Sequence, residues 1–275
     1  MIASLRTSHA SAPAAYVLAP WPNPRRWEDG QLVERTLSAP DRWSVHSARR
    51  VLVTLGDIEF TVVQQPEGLT ATKVGVGACL WDGALLLAAY LVAQPRHRLV
   101  GARCVELGAG VGAVGVAAAK LGARVVVTDI AKVLPLLEAN LEANGLGAAR
   151  ARVAAPGAGA AEAEELEWGK EGWMRRVAAL AADPPDLVLA ADACYVDGDG
   201  ASPSTPAFVQ TCAGLCGPAT RVLVSFERRS PEVRRCFLEE ARRAFRRVEL
   251  VPAASLPGPL RLPYCDLWEL SGPVR

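Results

Sequence analysis

Residues 51–65 carry two runs in which apolar and polar side chains alternate, with Gly56 and Asp57 between them. A period of two places the apolar side chains on one face of a strand, and a two-residue turn of this type joins antiparallel strands. The pattern therefore predicts a β-hairpin. A glycine-rich turn follows, and the apolar stretch over residues 82–93 predicts a helix.

Beyond the hairpin, short apolar runs alternate with helix-like segments. One of these helices has an apolar stripe at helical spacing, formed by Val133, Leu134, Leu137 and Leu141. Strands joined through helices run parallel. The alternation therefore predicts an α/β fold with a Rossmann-like, mostly parallel sheet of seven strands, preceded by the N-terminal hairpin. The predicted strands span residues 103–107, 125–129, 151–154, 187–191, 222–226, 247–251 and 266–270.

The last two predicted strands are separated by a proline-rich loop instead of a helix, so we expect them to pair antiparallel at one edge of the sheet. The sequence PGAGAAEAEE at residues 156–165 predicts a surface insertion. We expect residues 1–45 to form a flexible N-terminal extension. Residues 46–275 then form a single domain, which we expect to be monomeric.

The composition limits which classes of binding partner and which cellular compartment we expect for this protein. Lysine and arginine (30) nearly balance aspartate and glutamate (29), so no overall field would recruit nucleic acid or an anionic membrane. The apolar stretches are shorter than the roughly 20 residues of a membrane-spanning helix. Seven cysteines, an odd number, are typical of reduced thiols inside the cell. Cys212 and Cys216 have no second ligand pair near them, so we expect no metal site.

The first 27 residues contain no acidic side chain and are rich in alanine, serine and proline. This composition leaves two interpretations open, a disordered tail and an organelle transit peptide. We favour the disordered tail, and therefore expect a cytoplasmic protein.

A glycine-rich loop follows the predicted strand at 103–107. Gly108, Ala109 and Gly110 would let the backbone turn tightly and let a ligand lie against the peptide plane. Asp129 ends the next strand, where a carboxylate can accept both hydroxyls of a ribose, and Ile130 beside it would line the same site. These features predict a nucleoside cofactor.

The identity of the cofactor depends on the residues around this loop. The glycine spacing also satisfies a loose dinucleotide pattern. Glu106, however, suits a ligand with an ammonium and a sulfonium, and would be unfavourable beside a pyrophosphate. The loop also lies well inside the chain, whereas dinucleotide domains usually open with it. We therefore expect S-adenosylmethionine (SAM), and keep an NAD-dependent oxidoreductase as the alternative.

The predicted strand at 187–191 ends in Asp192-Ala193-Cys194-Tyr195, across the crevice where open sheets bind ligands. A lysine that is methylated must first lose a proton, which costs about 4–5 kcal/mol at neutral pH. We predict that Asp192 positions the amine and that Tyr195 forms one wall of a narrow channel. The Asn-Pro-Pro-Tyr or Asp-Pro-Pro-Tyr motif of enzymes that methylate amino groups of nucleic acids does not occur at this position.

With these residues, the chain resembles the seven-strand, SAM-dependent protein-lysine methyltransferases, lysine methyltransferase family 16, which include the enzyme acting on valosin-containing protein. The resemblance covers residues 51–270 and rests on these motifs: GVGACLWDGALLLAAYL, VELGAGVGAVGVAAAKLGARVVVTD, LEANLEAN, LEWG, DLVLAADACY and VSFERR. It implies that Trp81 and Trp168 pack around the adenosine end of SAM and that Ala191 lines its pocket. It also implies that residues 227–229 support the substrate entrance.

The resemblance implies N-methylation of a lysine on a protein substrate, such as a chaperone, an AAA ATPase or a translation factor. A non-catalytic SAM-binding module stays open as a further alternative. A helix starting near Pro231 would present Arg234, Arg235, Arg242 and Arg243 on one side. This basic face could dock an acidic protein surface, although a plain solvated face is the interpretation that we favour.

Overall fold

The computed structural model describes residues 45–69, 74–147, 158–195, 202–256 and 262–274, together with the backbone of four strands nearer the amino terminus. Two sheets and six α-helices organise these residues. The helices are α1 (Asp82–Ala93), α2 (Ala113–Lys120), α3 (Leu134–Ala143), α4 (Trp173–Leu180), α5 (Ser204–Leu215) and α6 (Pro231–Ala244).

The first sheet contains the predicted hairpin. Its strands are β1 (Ala3–His9), β2 (Ala12–Leu18), β3 (Arg25–Glu28), β4 (Gln31–Glu34), β5 (Arg50–Leu55) and β6 (Ile58–Val63), in the order β4-β3-β2-β1-β5-β6. Gly56, with φ of 59°, and Asp57 make the turn between β5 and β6, as the sequence indicates. Strands β1 to β4 extend this hairpin and lie within residues 1–45. The flexibility expected of that extension stays a prediction.

The second sheet is the predicted seven-strand sheet. Its strands are β7 (Arg103–Leu107), β8 (Arg124–Asp129), β9 (Ala160–Glu165), β10 (Leu187–Ala191), β11 (Arg221–Glu227), β12 (Phe245–Leu250) and β13 (Cys265–Pro273). The order is β12-β13-β11-β10-β7-β8-β9. Strand β13 runs antiparallel to both of its neighbours, and the pairs from β11 to β9 are parallel. The predicted fold class is confirmed, with β12 at the edge and β13 one position inside it.

Strand β9 corrects one prediction. The sequence predicts a surface insertion over residues 156–165, but residues 160–165 pair in parallel with β8 as the edge strand. Alanine and glutamate have low strand propensity, so the sequence does not signal this strand, and pairing with β8 overrides the propensity. Gly159 allows the close approach, because a Cβ there would lie 1.6 Å from the carbonyl oxygen of Ala119. The strand predicted at residues 151–154 lies outside the described residues.

Two apolar clusters lie on opposite faces of the seven-strand sheet. One packs α1, α2 and α3 together with strands β5 and β6 against the sheet, and the other packs α4, α5 and α6. The predicted stripe on α3 faces inward, since Val133, Leu137 and Leu141 are buried. In the described part of the chain, no helix is long and apolar enough to cross a membrane.

Two asparagines, Asn140 on α3 and Asn144 directly after it, attach the hairpin to this core. The Asn140 side chain accepts a hydrogen bond from Val63 N (2.6 Å) and donates one to Val63 O (2.9 Å). The Asn144 side chain forms the same pair with Thr61 N (2.9 Å) and Thr61 O (2.7 Å). The two amides therefore pair with the outer edge of β6 as a neighbouring strand would. These hydrogen bonds hold the hairpin sheet beside α3.

Candidate active site

A cavity of about 400 Å³ opens at the carboxyl ends of β7, β8 and β10. The chain passes from β7 to β8 on one side and later returns to β10 on the other, so this is the crevice where open α/β sheets bind ligands. The cavity brings together all the predicted site residues: Trp81, Glu106, Gly108, Ala109, Gly110, Asp129, Ile130, Trp168, Ala191, Asp192 and Tyr195.

The glycine turn lies on the floor of this cavity. Gly108 and Gly110 have φ of 63° and 55°, a left-handed conformation that glycine adopts without a steric penalty. A Cβ on Gly108 would lie 3.0 Å from the ring of Trp168, and one on Gly110 would lie 3.2 Å from the carbonyl oxygen of Gly77. Both positions therefore need glycine for conformation and for space.

Asp129 is fixed by the same turn. Its Oδ2 accepts a hydrogen bond from Gly110 N (2.7 Å), and its Oδ1 accepts one from Ile130 N (2.8 Å). Burial raises the pKa of the carboxyl, and these two hydrogen bonds oppose the rise by stabilising the ionised form. The carboxylate is thus held at the end of β8 with lone pairs left to accept hydroxyl groups, as predicted for a ribose site.

Glu106 is a buried carboxyl beneath the cavity, with only 2% of its surface exposed. Its Oε2 accepts a hydrogen bond from Gly115 N at the start of α2 (2.7 Å). Burial raises its pKa to about 8, and the nearby charge of Asp129 adds to the rise. A cation bound beside Glu106 would favour the ionised carboxylate, which is the chemistry predicted for the amino acid end of SAM.

Two tryptophans frame the cavity. The ring of Trp168 lies against Gly108 and packs 5.1 Å from Phe208, and its buried Nε1 has no hydrogen-bond partner among the described residues. Trp81 donates from Nε1 to Val76 O (2.7 Å), which fixes the plane of its ring at the cavity wall. Both rings therefore supply apolar surface to the cavity.

Asp192 lies at the end of β10, opposite the glycine turn. Its φ of 49° makes it the one non-glycine residue with a positive φ in the described part of the chain. Oδ1 accepts a hydrogen bond from Glu227 N and Oδ2 accepts one from Gly83 N, each at 2.8 Å. Burial raises the pKa of the carboxyl, while these hydrogen bonds and the charge of Arg229 oppose the rise. A residue with a positive φ that is held from two elements, α1 and β11, is typical of a functional site.

Tyr195 lies three residues further on and borders the same cavity, with 51% of its surface exposed. Its carbonyl oxygen accepts a hydrogen bond from Ser202 Oγ (2.9 Å), which fixes the backbone at this point. The exposed phenol therefore lies where a substrate would enter.

Sequence reasoning misses the segment that closes the cavity on its outer side. The 3-10 helix Gly75–Ala78 and Gly83 are not among the predicted site residues. The segment borders the cavity, and Gly83 supplies one hydrogen bond to Asp192. The glycine-rich sequence before α1 is the available signal, since it permits close backbone approach.

The predicted basic face on α6 is largely paired. Arg234 contacts Asp266 (2.9 Å), and Arg235 pairs with Glu232 and with Glu239. Arg243 pairs with Glu240. Three of the four arginines therefore have acidic partners, which favours the solvated face over a docking surface.

The site combines the glycine turn after β7, the carboxylates of Asp129 and Asp192 at the ends of β8 and β10, and a cavity where the strand order reverses. These features define the class of protein, a Rossmann-like α/β protein of the SAM-dependent methyltransferase type. The structure of the T. thermophilus 16S rRNA N2 G1207 methyltransferase RsmC, in complex with AdoMet and guanosine, has the same fold. The TM-score is 0.52 at 19% sequence identity, and the match covers 81% of this chain and 50% of that one. At this identity the likeness shows the fold alone.

Residues 67–244 match the lysine methyltransferase family, and the chain belongs to this family. Protein N-lysine methyltransferase METTL21A of Danio rerio is 35% identical over 189 residues, which are 68% of this chain and 78% of the relative. EEF1A lysine methyltransferase 3 of Mus musculus is 33% identical over 159 residues, 58% of this chain and 59% of the relative. Membership confirms the predicted enzyme class and the SAM cofactor, and gives no support to the dinucleotide alternative.

Proposed function

We propose that this protein transfers a methyl group from SAM to the Nζ of a lysine on a protein substrate, and that the transfer takes place where Asp192 and Tyr195 border the cavity. The observation that carries the proposal is the position of Asp192. Its carboxylate is fixed opposite the glycine turn and lines the same cavity. One pocket can therefore hold the methyl donor and the incoming amine side by side.

The cavity fits SAM in size and in chemistry. About 400 Å³ lies in the range of small-molecule sites. We assign the ribose hydroxyls to Asp129, the amino acid end to Glu106 and the backbone turn at Gly108 and Gly110, and the adenine to Trp168, whose ring borders the cavity beside Gly108. When bound, SAM supplies an electrophilic methyl group on a sulfonium.

Asp192 acts as a positioning residue for the amine. Because both of its oxygens already accept backbone N–H groups, its orientation is fixed in advance of substrate binding. The remaining lone pairs can accept an N–H from the amine and direct the nitrogen lone pair towards the methyl group. Partial burial also disfavours the charged ammonium, which offsets part of the roughly 4–5 kcal/mol needed to deprotonate a lysine at neutral pH.

Tyr195 and Trp81 complete the entrance. The exposed phenol of Tyr195 provides one wall for the four-carbon stem of a lysine. We reassign Trp81, which the family resemblance implies at the adenosine end of SAM, to a second wall of this entrance, where its hydrogen bond to Val76 O holds the ring.

We propose a translation factor, a chaperone or an AAA ATPase as the substrate, an active monomer, and a cytoplasmic location. The name of the relative EEF1A lysine methyltransferase 3 supports the first of these substrates. The near balance of 30 basic and 29 acidic residues argues for recognition of a local surface of the partner, since there is no overall field to attract it.

Incubation with tritiated SAM and a cell extract from the same source tests the proposal. We expect label on a lysine of one protein, identified by mass spectrometry, and loss of that label with Asp192→Asn. The asparagine variant is nearly isosteric and should bind SAM almost as well as the wild type in calorimetry. Label on nucleic acid or on another amino acid would contradict the proposed acceptor, and undiminished label with Asp192→Asn would contradict the proposed role.

A further inference from the structure

The side chain of Arg229 covers one face of Trp81, a residue that borders the cavity. Its guanidinium carbon is 4.2 Å from the centroid of the Trp81 ring, and its Nε donates to Glu227 Oε2 at 2.7 Å. The Glu227 side chain is only 11% exposed. An arginine just beyond β11 thus contacts the face of a cavity-lining aromatic ring and the carboxylate at the end of β11.

Asp192 belongs to the same arrangement. Glu227 N donates to Asp192 Oδ1 (2.8 Å), so the two acidic residues are joined through the backbone. The charge of Arg229 lies close enough to oppose the rise in the pKa of Asp192 that burial causes. Asp82, which accepts a hydrogen bond from Tyr264 Oη (2.9 Å), adds a further acidic charge near Asp192. This arrangement is rich in carboxylates, and Arg229 pairs with one of them, Glu227.

A lysine ammonium needs the same partners as this guanidinium. Both cations gain from lying over the face of a tryptophan and from hydrogen bonds to carboxylates. On the proposed function, the target lysine approaches Asp192 beside Trp81, and Arg229 covers one face of that ring. We propose that Trp81, Glu227 and Asp192 form the subsite for the cationic end of the target lysine, and that Arg229 occupies this subsite until a substrate displaces it.

Displacement of Arg229 is physically accessible. Its side chain is 45% exposed, and the contacts that the structure gives it in the described residues are those with Trp81 and Glu227. Cation–π contacts and ion pairs made by a partly exposed guanidinium are weak, because water competes for the cation. The internal arginine therefore weakens the binding of a lone amine only modestly. A protein substrate that also contacts the enzyme elsewhere gains enough binding energy to displace Arg229. The enzyme therefore discriminates in favour of a complete protein surface and against isolated lysines.

The neighbouring Arg228 provides a matched control. It pairs with Asp266 and donates to the carbonyl oxygen of Pro263, on the side of the chain away from Trp81. Removal of either arginine changes the net charge equally, but only removal of Arg229 vacates the proposed subsite.

The test is a titration of the 15N-labelled protein, saturated with S-adenosylhomocysteine, with n-butylammonium chloride against matched sodium chloride. The indole N–H signal of Trp81, assigned by its loss in Trp81→Phe, reports binding. We expect Arg229→Ala to lower the Kd for n-butylammonium about three- to tenfold, from the loss of one exposed cation–π contact and one exposed ion pair. Arg229→Lys keeps the competing cation and should match the wild type, as should Arg228→Ala.

An unchanged or higher Kd in Arg229→Ala would overturn the proposal, as would an equal gain in Arg228→Ala. Arg229→Gln keeps the aliphatic stem over Trp81 but removes the charge, and gives the same readout should the alanine variant not fold. Calorimetry with SAM separates this inference from the proposed function. Normal SAM binding with no gain in amine affinity rejects the subsite alone, whereas loss of SAM binding in the wild type rejects the proposed function.

Discussion

Glu106 makes the binding of SAM a proton-linked reaction. Burial raises the pKa of this carboxyl to about 8. At pH 7, about ten molecules therefore carry the protonated form for each one that carries the carboxylate. A ligand that places positive charge beside Glu106 binds the ionised form, so the carboxyl must release its proton when the ligand arrives.

The size of the effect follows from this ratio. Binding at pH 7 should release about 0.9 proton per SAM bound through Glu106, and the Kd should fall by up to about tenfold for each pH unit between about pH 5.5 and 7.5. The direction of this pH dependence follows from the raised pKa of Glu106. The fraction of protein with an ionised Glu106, the form that binds SAM, increases as the pH rises towards that pKa and no longer increases above it.

Isothermal titration calorimetry in phosphate and in Tris at the same pH measures the released proton, because the two buffers differ in ionisation enthalpy. Glu106→Gln should bind SAM with no buffer-dependent difference and with a flat pH profile. Asp129→Asn should bind more weakly through the lost ribose contact and still release the proton. Equal binding enthalpies in both buffers for the wild type, or a pH profile in Glu106→Gln that matches the wild type, would show that Glu106 does not release a proton when SAM binds.

Three further substitutions test the neighbouring contacts. Asp192→Ala should abolish methyl transfer and weaken SAM binding far less. It should also lower the free energy of unfolding in urea by about 2–5 kcal/mol, because it leaves the N–H groups of Gly83 and Glu227 without an acceptor. A stability within about 1 kcal/mol of wild type would argue against these two hydrogen bonds. Gly83→Ala places a Cβ 2.5 Å from Asp192 Oδ2. Methyl transfer at saturating SAM should therefore fall sharply, even though alanine stabilises a helix better than glycine does. A wild-type rate would show that Asp192 need not be held in this position. Asn140→Ala should cost about 2–4 kcal/mol in urea unfolding and more than Asn144→Ala, since Asn140 is fully buried; the reverse order would contradict the assigned attachment of β6.

The parts of the site that lie at strand ends could be predicted from the sequence. The glycine turn, Asp129 and Asp192 each follow an apolar run directly, and parallel strands bring their carboxyl ends to one edge. The position of each residue in its own strand therefore determines its place in the cavity. Trp81 and Trp168 follow only from the family resemblance, because nothing in their local sequence distinguishes them from core residues.

The contacts that hold Asp192 could not be predicted in this way. Its two donors, Gly83 and Glu227, are 109 and 35 residues away along the chain. Periodicity describes which face of an element is apolar, but not which backbone N–H lies opposite a given carboxylate. Strand β9 escapes prediction for a related reason, since its strand state comes from pairing with β8 and not from its alanine and glutamate residues.

The pairing of the arginines on α6 is, in contrast, evident from spacing. Arg235 lies three residues after Glu232 and four before Glu239, and both separations place opposite charges side by side on a helix. These separations along the sequence already favour a solvated face.

A crystal structure of the protein with S-adenosylhomocysteine and a lysine-containing peptide of its substrate would show whether one pocket holds both the cofactor and the lysine. We expect the cofactor product between the turn at Gly108 and Gly110 and the side chain of Asp192, with the lysine nitrogen directed at the sulfur and the Arg229 side chain moved off Trp81. Cofactor density elsewhere, or a cavity filled by the protein's own side chains, would contradict this expectation.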